Sequence, residues 1–273
     1  MEVQIITIFC VLDNILKFTG FRDDWQVTMT SSEIMTIAIT SGFFFSGNLE
    51  ETRNFFSEYK LVRTLLSKSQ FNRRLHAIDG SIWELVFNTL AEIFKEGNDD
   101  QEYIVNSFPI AVFDNIRIST SKIYKAEEYR GRMASKRRFF YGLRGHMITT
   151  KKMKPIEFIL APGSYSDARV FKNFQLDLPS GALLYGDPIY TNYNYEAIIE
   201  ESMNVRMLIA RKTNSKRQHQ PWINYLIGCS RKMIETAFSQ ITALFPKKIH
   251  AVTSKGFELK IICFILAYSF NLL

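Results

Sequence analysis

Apolar positions recur at helical spacing through the first hundred residues and at strand spacing beyond them. Val3, Ile6, Ile8, Leu12, Ile15 and Leu16 place one apolar face on residues 1–18, which predicts a first helix. Thr30-Ser-Ser-Glu33 has the form of a capping box, and Ile34 to Phe45 continues it as a second helix. Gly47-Asn48 breaks that helix, an amphipathic stretch follows over Leu49 to Tyr59, and Leu61 to Leu66 is a short apolar piece. Ser67-Lys-Ser-Gln70 is a second capping-box pattern, opening a helix expected to run to about Phe94 with a weak point at Gly80. Glu96 to Glu102 is acidic and carries Gly97, so the boundary falls there: a helical region over 1–104 and a second domain over 105–273.

From residue 105 the period shortens. Phe108-Pro-Ile-Ala-Val-Phe-Asp114-Asn-Ile-Arg-Ile118 is an apolar, β-branched run that ends on one carboxylate, the pattern of a buried strand. Lys136 to Thr150 and Pro155 to Leu160 predict two more strands, and the short connections make the three an antiparallel meander. Ala161 to Asp167 is a loop ending in good capping residues, with Ala168 to Phe174 helical after it. Ala182 to Tyr185 is a strand closed by Gly186 and Asp187; Tyr193 to Met203 is a helix and Val205 to Ala210 a strand. Arg211 to Gln220 is a basic loop, and Ser230 to Leu244 has helical period. Strands first, then strand–helix alternation, is a layered α/β design.

Composition narrows the class. At 273 residues, 47% hydrophobic and 22% charged, the chain has ample material for a large domain and a smaller one. The longest apolar stretches, Ile5 to Leu12 and Ile261 to Leu273, fall short of a membrane span and read as buried helices, so no membrane partner is expected. Met1-Glu-Val lacks the basic start of a signal peptide, and Cys10, Cys229 and Cys263 show no metal spacing. Reduced thiols in the cytoplasm, without zinc, are the expectation. The net charge of +7 is unevenly spread: residues 1–110 sum to −6 and residues 111–273 to +13. Arg117 to Lys154 alone carries twelve basic and two acidic residues, which points to a polyanionic partner or, more plainly, to a solvated basic face. Lys68, Gln70, Arg73 and Arg74 crowd the first turns of the helix at Ser67. They suit contact with phosphates and base edges in a helix-turn-helix, or an ordinary basic outer face.

Three carboxylates stand out by context. Asp114 ends the first strand of the second domain, Asp187 follows the strand Ala182 to Tyr185, and Glu235 lies on the late helix one turn after Arg231. Phosphodiester chemistry with two Mg²⁺ ions uses such a set, because Mg²⁺ takes carboxylate oxygens and keeps open positions for water or substrate. Each acid also has a structural reading: Asp114 a turn former, Asp187 a cap, Glu235 the i,i+4 partner of Arg231. Asp167 stands either near the metal edge or as the cap of the next helix, and His146 reads as a packed strand residue outside the metal site.

At these residues the sequence resembles a known group. The stretch Phe108 to Ile118, Tyr129-Arg-Gly131, Ser135 to His146 and Ala161-Pro-Gly-Ser-Tyr-Ser-Asp167 look like bacterial insertion-sequence transposases of the DDE type, insertion-sequence family 982 above all. Tyr185-Gly-Asp187 and Arg231-Lys-Met-Ile-Glu-Thr-Ala-Phe-Ser-Gln240 match its second and third acidic motifs, and Ser67 to His76 resembles its N-terminal helical region. The resemblance implies an RNase H-like mixed sheet flanked by helices, preceded by an all-α N-terminal domain. It implies that Asp114, Asp187 and Glu235 hold two Mg²⁺ ions, with Mn²⁺ as a substitute, and that Arg231 holds a phosphate. Water would nick double-stranded DNA at terminal inverted repeats, and the freed 3′ hydroxyl would attack target DNA, in a homo-oligomeric complex. Lys136, Arg137, Arg138 and Arg144 would line the DNA path.

Several positions depart from the family's pattern. Pro188 and Ile189 follow the second Asp where small or basic residues are usual, Gly145 replaces a larger residue, and Gly228 and Thr242 stand where some relatives have Tyr and Lys. A Pro beside Asp187 would remove a donor, Ile189 would add bulk, and Gly145 would weaken a strand. Such changes suit a decaying copy. The rival readings are a DNA-binding relic without cleavage and a metal-dependent nuclease that cuts but does not join.

Overall fold

The computed structural model describes residues 1–114 (backbone alone at 113 and 114), 123–133 and 137–273. These form two compact units, Met1–Thr89 with Gln240–Leu273, and Leu90–Ser239.

The first unit is helical. It holds α1 (Glu2–Phe18), α2 (Ser31–Phe44), α3 (Leu49–Glu58), α4 (Lys68–Ala77) and the opening of α5 (Gly80–Glu96). Ile34 through Gly42 of α2 are buried without a polar stripe, the mark of a helix surrounded by others. It packs on α1, α3, α4 and the last helix of the chain, α9 (Ser254–Phe270), whose residues Cys263 to Phe270 are likewise buried. Both capping boxes are formed: Glu33 N–H donates to Thr30 Oγ1 at 3.2 Å while Thr30 N–H donates to Glu33 Oε2 at 2.7 Å, and Ser67 and Gln70 repeat the arrangement. The single helix expected from Ser67 to Phe94 is two helices. Ile78, extended at ψ 123, and Asp79, whose carboxylate accepts from Ser81 N–H at 2.9 Å, end one and start the next. α3 and α4 are joined by residues 59–67, and α4 and α5 by residues 78–79.

The second unit is a mixed sheet flanked by helices. Its strands are β1 (Glu102–Asp114), β2 (Arg130–Met133), β3 (Arg138–Thr150), β4 (Pro155–Pro162), β5 (Leu183–Gly186) and β6 (Arg206–Ile209). The order is β2-β3-β1-β5-β6, with β4 also pairing β3. β1, β3 and β4 are the expected antiparallel meander. The short β2 has no signal in the sequence: four residues, Arg-Gly-Arg-Met, carry no run of apolar character to announce a strand. β5 runs parallel to β1 and β6 parallel to β5, and α7 (Tyr193–Met203) supplies the crossover that a parallel pair requires. The other helices of the unit are the end of α5, α6 (Asp167–Phe171) and the greater part of α8 (Pro221–Ala243), which begins nine residues before the expected Ser230.

Two glycines shape β3. A Cβ at Gly142 would stand 2.3 Å from the carbonyl oxygen of Ile110, where β1 bulges between Ala111 and Phe113, so only glycine permits that bulge. Gly145 does not leave a gap in the strand. It pairs across from Phe108, and the rings of Phe108 and Phe158 lie 2.9 and 3.1 Å from where its Cβ would be, covering the backbone that a side chain would otherwise cover. No helix among the described residues is long and apolar enough to cross a membrane.

Candidate active site

The register of the sheet decides which residues can meet. β5 pairs β1 from Glu102↔Leu183 to Val105↔Gly186 and then ends, while β1 continues alongside β3 alone. Asp187 is the next residue after β5, with extended backbone (φ −73°, ψ 160°), so the next position across from it on β1 is Asn106. The strand order departs in opposite directions from β1, and a crevice opens there at the carboxyl end of the parallel strand, the usual place for a ligand in such sheets.

Helix α8 closes that crevice. Ile223, Ile227, Ser230, Ile234, Ala237, Phe238 and Ile241 are buried at helical spacing, and Arg231 and Glu235 sit on the adjoining exposed flank. Asn106, Asp187, Ile227, Arg231 and Ile234 line one cleft. Arg231 Nε lies 3.0 Å from Asp187 Oδ1 and 3.5 Å from Glu235 Oε1, so the guanidinium joins the two acids. Partial burial pushes the Asp187 carboxyl above its ordinary range; Arg231 opposes that shift, while the negative charges of Glu235 and Asp167 add to it.

Pro188 fits without strain. It opens a 3₁₀ turn, Pro188–Tyr190, at a position where a backbone N–H has no partner to lose, and Tyr190 N–H closes the turn on Asp187 C=O at 3.0 Å. Ile189 is exposed to solvent.

A second cluster lies behind the first. Ser107 Oγ donates to Asp167 Oδ1 at 3.0 Å, and Arg144 Nη1 reaches the same oxygen at 3.3 Å. His146 Nδ1 is 3.8 Å from it, and Arg144 Nη2 donates to Arg132 C=O at 3.1 Å. Burial drives the His146 imidazole down to about 4, against the pull of Asp167, so it is neutral at physiological pH. Asp167 is not the helix cap: Ser166 Oγ accepts Arg169 N–H at 3.3 Å in that role.

Asp187, Arg231 and Glu235 are therefore brought together, and Asp114 is not brought to them. Its backbone pairs with Phe140 at the far end of β1, eight residues past Asn106 and roughly 25 Å along the strand. Two ions about 4 Å apart cannot bridge that gap. In the sequence, the apolar run from Phe108 to Ile118 points to its closing carboxylate and not to Asn106 and Ser107, the polar pair between Val105 and Phe108.

The expected DNA contacts divide in the same way. Lys68 and Arg73 are exposed, but Gln70 Oε1 is occupied by Ser67 N–H and Oγ at 3.1 and 2.7 Å. Arg74 Nη2 is bound to Asp23 Oδ1 at 3.0 Å and to Met29 C=O at 3.3 Å, a tie that fixes the turn before α2. Arg144 faces Asp167, whereas Arg137 and Arg138 are exposed at the start of β3; Lys136 lies outside the described residues.

The fit of a metal pair can be judged from the donors. Asp187 and Glu235 offer two carboxylates with Arg231 between them, and Asn106 on the same cleft adds a neutral amide whose Oδ1 accepts Ser107 N–H at 2.8 Å. Among the described residues no group of three or more His, Cys, Asp or Glu side chains is gathered to hold a metal ion. These donors do not match a two-ion centre.

Residues 96–251 match the family model described as "Transposase DDE domain", more than half of the chain. No curated protein and no solved structure matches. With a mixed sheet flanked by helices and two acids gathered at the end of a parallel strand, the chain belongs to the family of transposases that carry this DDE domain.

Proposed function

We propose that this chain is an insertion-sequence transposase, similar to insertion-sequence family 982, that binds the inverted-repeat ends of its element through an RNase H-like domain. Its partners are double-stranded DNA and further copies of itself. The full reaction of such proteins, nicking with Mg²⁺ or Mn²⁺ and joining of the 3′ hydroxyl to target DNA, needs a ligand set that Asp187 and Glu235 do not complete. Holding DNA is the part of that function the geometry favours, with cleavage impaired. No step through a metal pair is therefore assigned to the residues present.

The observation that carries this reading is the basic ribbon of β2 and β3. Arg132, Arg137 and Arg138 are exposed along it, in the same unit as Asp187 and Glu235. β2 is an edge strand of the sheet, and exposed arginines at such an edge can take phosphates without reading sequence. Lys68 and Arg73 on α4 are a further basic pair, and we assign them phosphate contacts as well.

Fluorescence anisotropy on a duplex carrying the sequence next to the coding region tests this over a range of salt. The affinity of the natural chain is expected to fall steeply with salt. Replacing Arg132, Arg137 and Arg138 together by Ala is expected to flatten the slope of log K against log salt by about 3. Binding that ignores salt would remove the proposal, and so would an unchanged slope in the triple variant.

A further inference from the structure

The strand register places a neutral residue where the chemistry of this site calls for a charged one. We infer that Asn106, and not Asp114, stands at the position of the third metal ligand, and that its amide leaves the chain a weak binder of a single divalent ion. The inference rests on the transposase reading and deepens it.

Three observations converge on residue 106. It follows Val105, the last β1 residue paired with β5, just as Asp187 follows Gly186 on the other strand. It lines the same cleft as Asp187 and Arg231. Its side chain is also the right length: an Asp in the same rotamer would put a charged oxygen where the amide oxygen now accepts Ser107 N–H.

Other acids do not substitute for it. Asp167, the nearest alternative by its influence on Asp187, is engaged by Ser107 and Arg144. Asp114 is displaced along β1 by eight residues. With the amide at 106, the carboxylates beside the cleft among the described residues are Asp187 and Glu235, and Arg231 supplies the positive charge they share. Metal affinity in such sites follows the number of charged ligands, so one carboxylate fewer means weaker binding and an incomplete centre.

The test is direct Mn²⁺ binding, followed by the loss of the free-ion electron paramagnetic resonance signal on titration with purified full-length protein. Asn106→Asp is expected to bind Mn²⁺ at least tenfold more tightly than the natural chain. Adding Asp187→Ala should cancel that gain, and Asp114→Ala should leave Mn²⁺ binding unchanged in either background. Equal affinity of the natural chain and a folded Asn106→Asp variant would overturn the inference. So would a gain that survives Asp187→Ala. Should Asn106→Asp fail to fold, the natural chain still decides: weak Mn²⁺ binding lost on Asp114→Ala and kept on Asp187→Ala would reject the assignment, and the reverse would support it. DNA anisotropy on the same samples separates the two claims. Loss of salt-dependent DNA binding removes the transposase reading, whereas the Mn²⁺ titration alone bears on residue 106.

Discussion

Of the arginine–carboxylate groups within the sheet unit, the one at Arg144 and the one at Arg231 are built for opposite ends. Arg144 and Asp167 are closed in: their side chains are 19% and 8% exposed, and Ser107 and His146 complete the surroundings of the acid. Arg231, Asp187 and Glu235 are open: the arginine and glutamate are 51% and 59% exposed, and only Asp187 is largely covered. Both groups join charges at about 3 Å, but the consequences of breaking them differ. A buried charge that loses its partner has no water to take its place, while an exposed one is resolvated at once. The closed group ties β1, β3 and α6 together; the open one faces solvent.

Removing the inner arginine tests that difference most severely. Arg144→Ala strands Asp167 among buried neighbours and is expected to destabilise the protein by about 3–5 kcal/mol, as uncompensated buried charges do. Urea unfolding of the natural and variant chains measures it. Arg144→Met with Asp167→Asn should recover most of the loss, since the charge and its partner then disappear together. A loss below about 1 kcal/mol for Arg144→Ala would show that the inner group is as solvated as the outer.

Acid separates the two groups next. His146 in the fold titrates near 4, below its ordinary 6.5, so the unfolded chain takes up its proton first. Stability carried by the neutral ring is complete above pH 6.5 and is lost as the pH falls toward about 4, by up to about 3 kcal/mol, and not further below that. Asp187 works in the other direction. Its carboxyl is raised by burial, so the folded state holds that proton more tightly and this contribution falls away as pH rises through the folded value. Thermal melts from pH 7 to 4 should show the first effect, and His146→Leu should flatten the curve. A curve equally steep in that variant would assign the acid sensitivity elsewhere.

Much of this arrangement is legible in the sequence, and the exceptions have physical causes. Helix starts are readable from Thr30-Ser-Ser-Glu33 and Ser67-Lys-Ser-Gln70, because a capping box is a purely local exchange of hydrogen bonds. The meander and the strand before Asp187 are readable from apolar runs. Register is not. Nothing local says that β5 meets β1 at its beginning, and so the carboxylate at the end of the apolar run draws attention from the amide near its start. Arg74 and Arg144 look like surface charges for the same reason: their partners Asp23 and Asp167 lie 51 and 23 residues away. Sequence alone shows a basic residue, not which acid it answers.

The smallest expected effect is the most informative about the open group. Asp187→Asn removes a charge that burial disfavours, and it also removes one of two partners of Arg231. These oppose each other. Arg231 keeps Glu235 one turn away and remains half exposed, so the loss of Asp187 leaves no stranded charge. The net change at neutral pH is expected within about 0.5 kcal/mol, on the stabilising side if relief of desolvation outweighs the lost ion pair. A residue held at the end of a parallel strand, in a cleft, whose removal does not harm the fold is one whose charge the fold does not need. If urea unfolding instead gave a loss of several kcal/mol for Asp187→Asn, the outer group would be a structural tie like the inner one. The case for a ligand site at Asp187, and with it the role assigned to residue 106, would then fail on stability grounds alone.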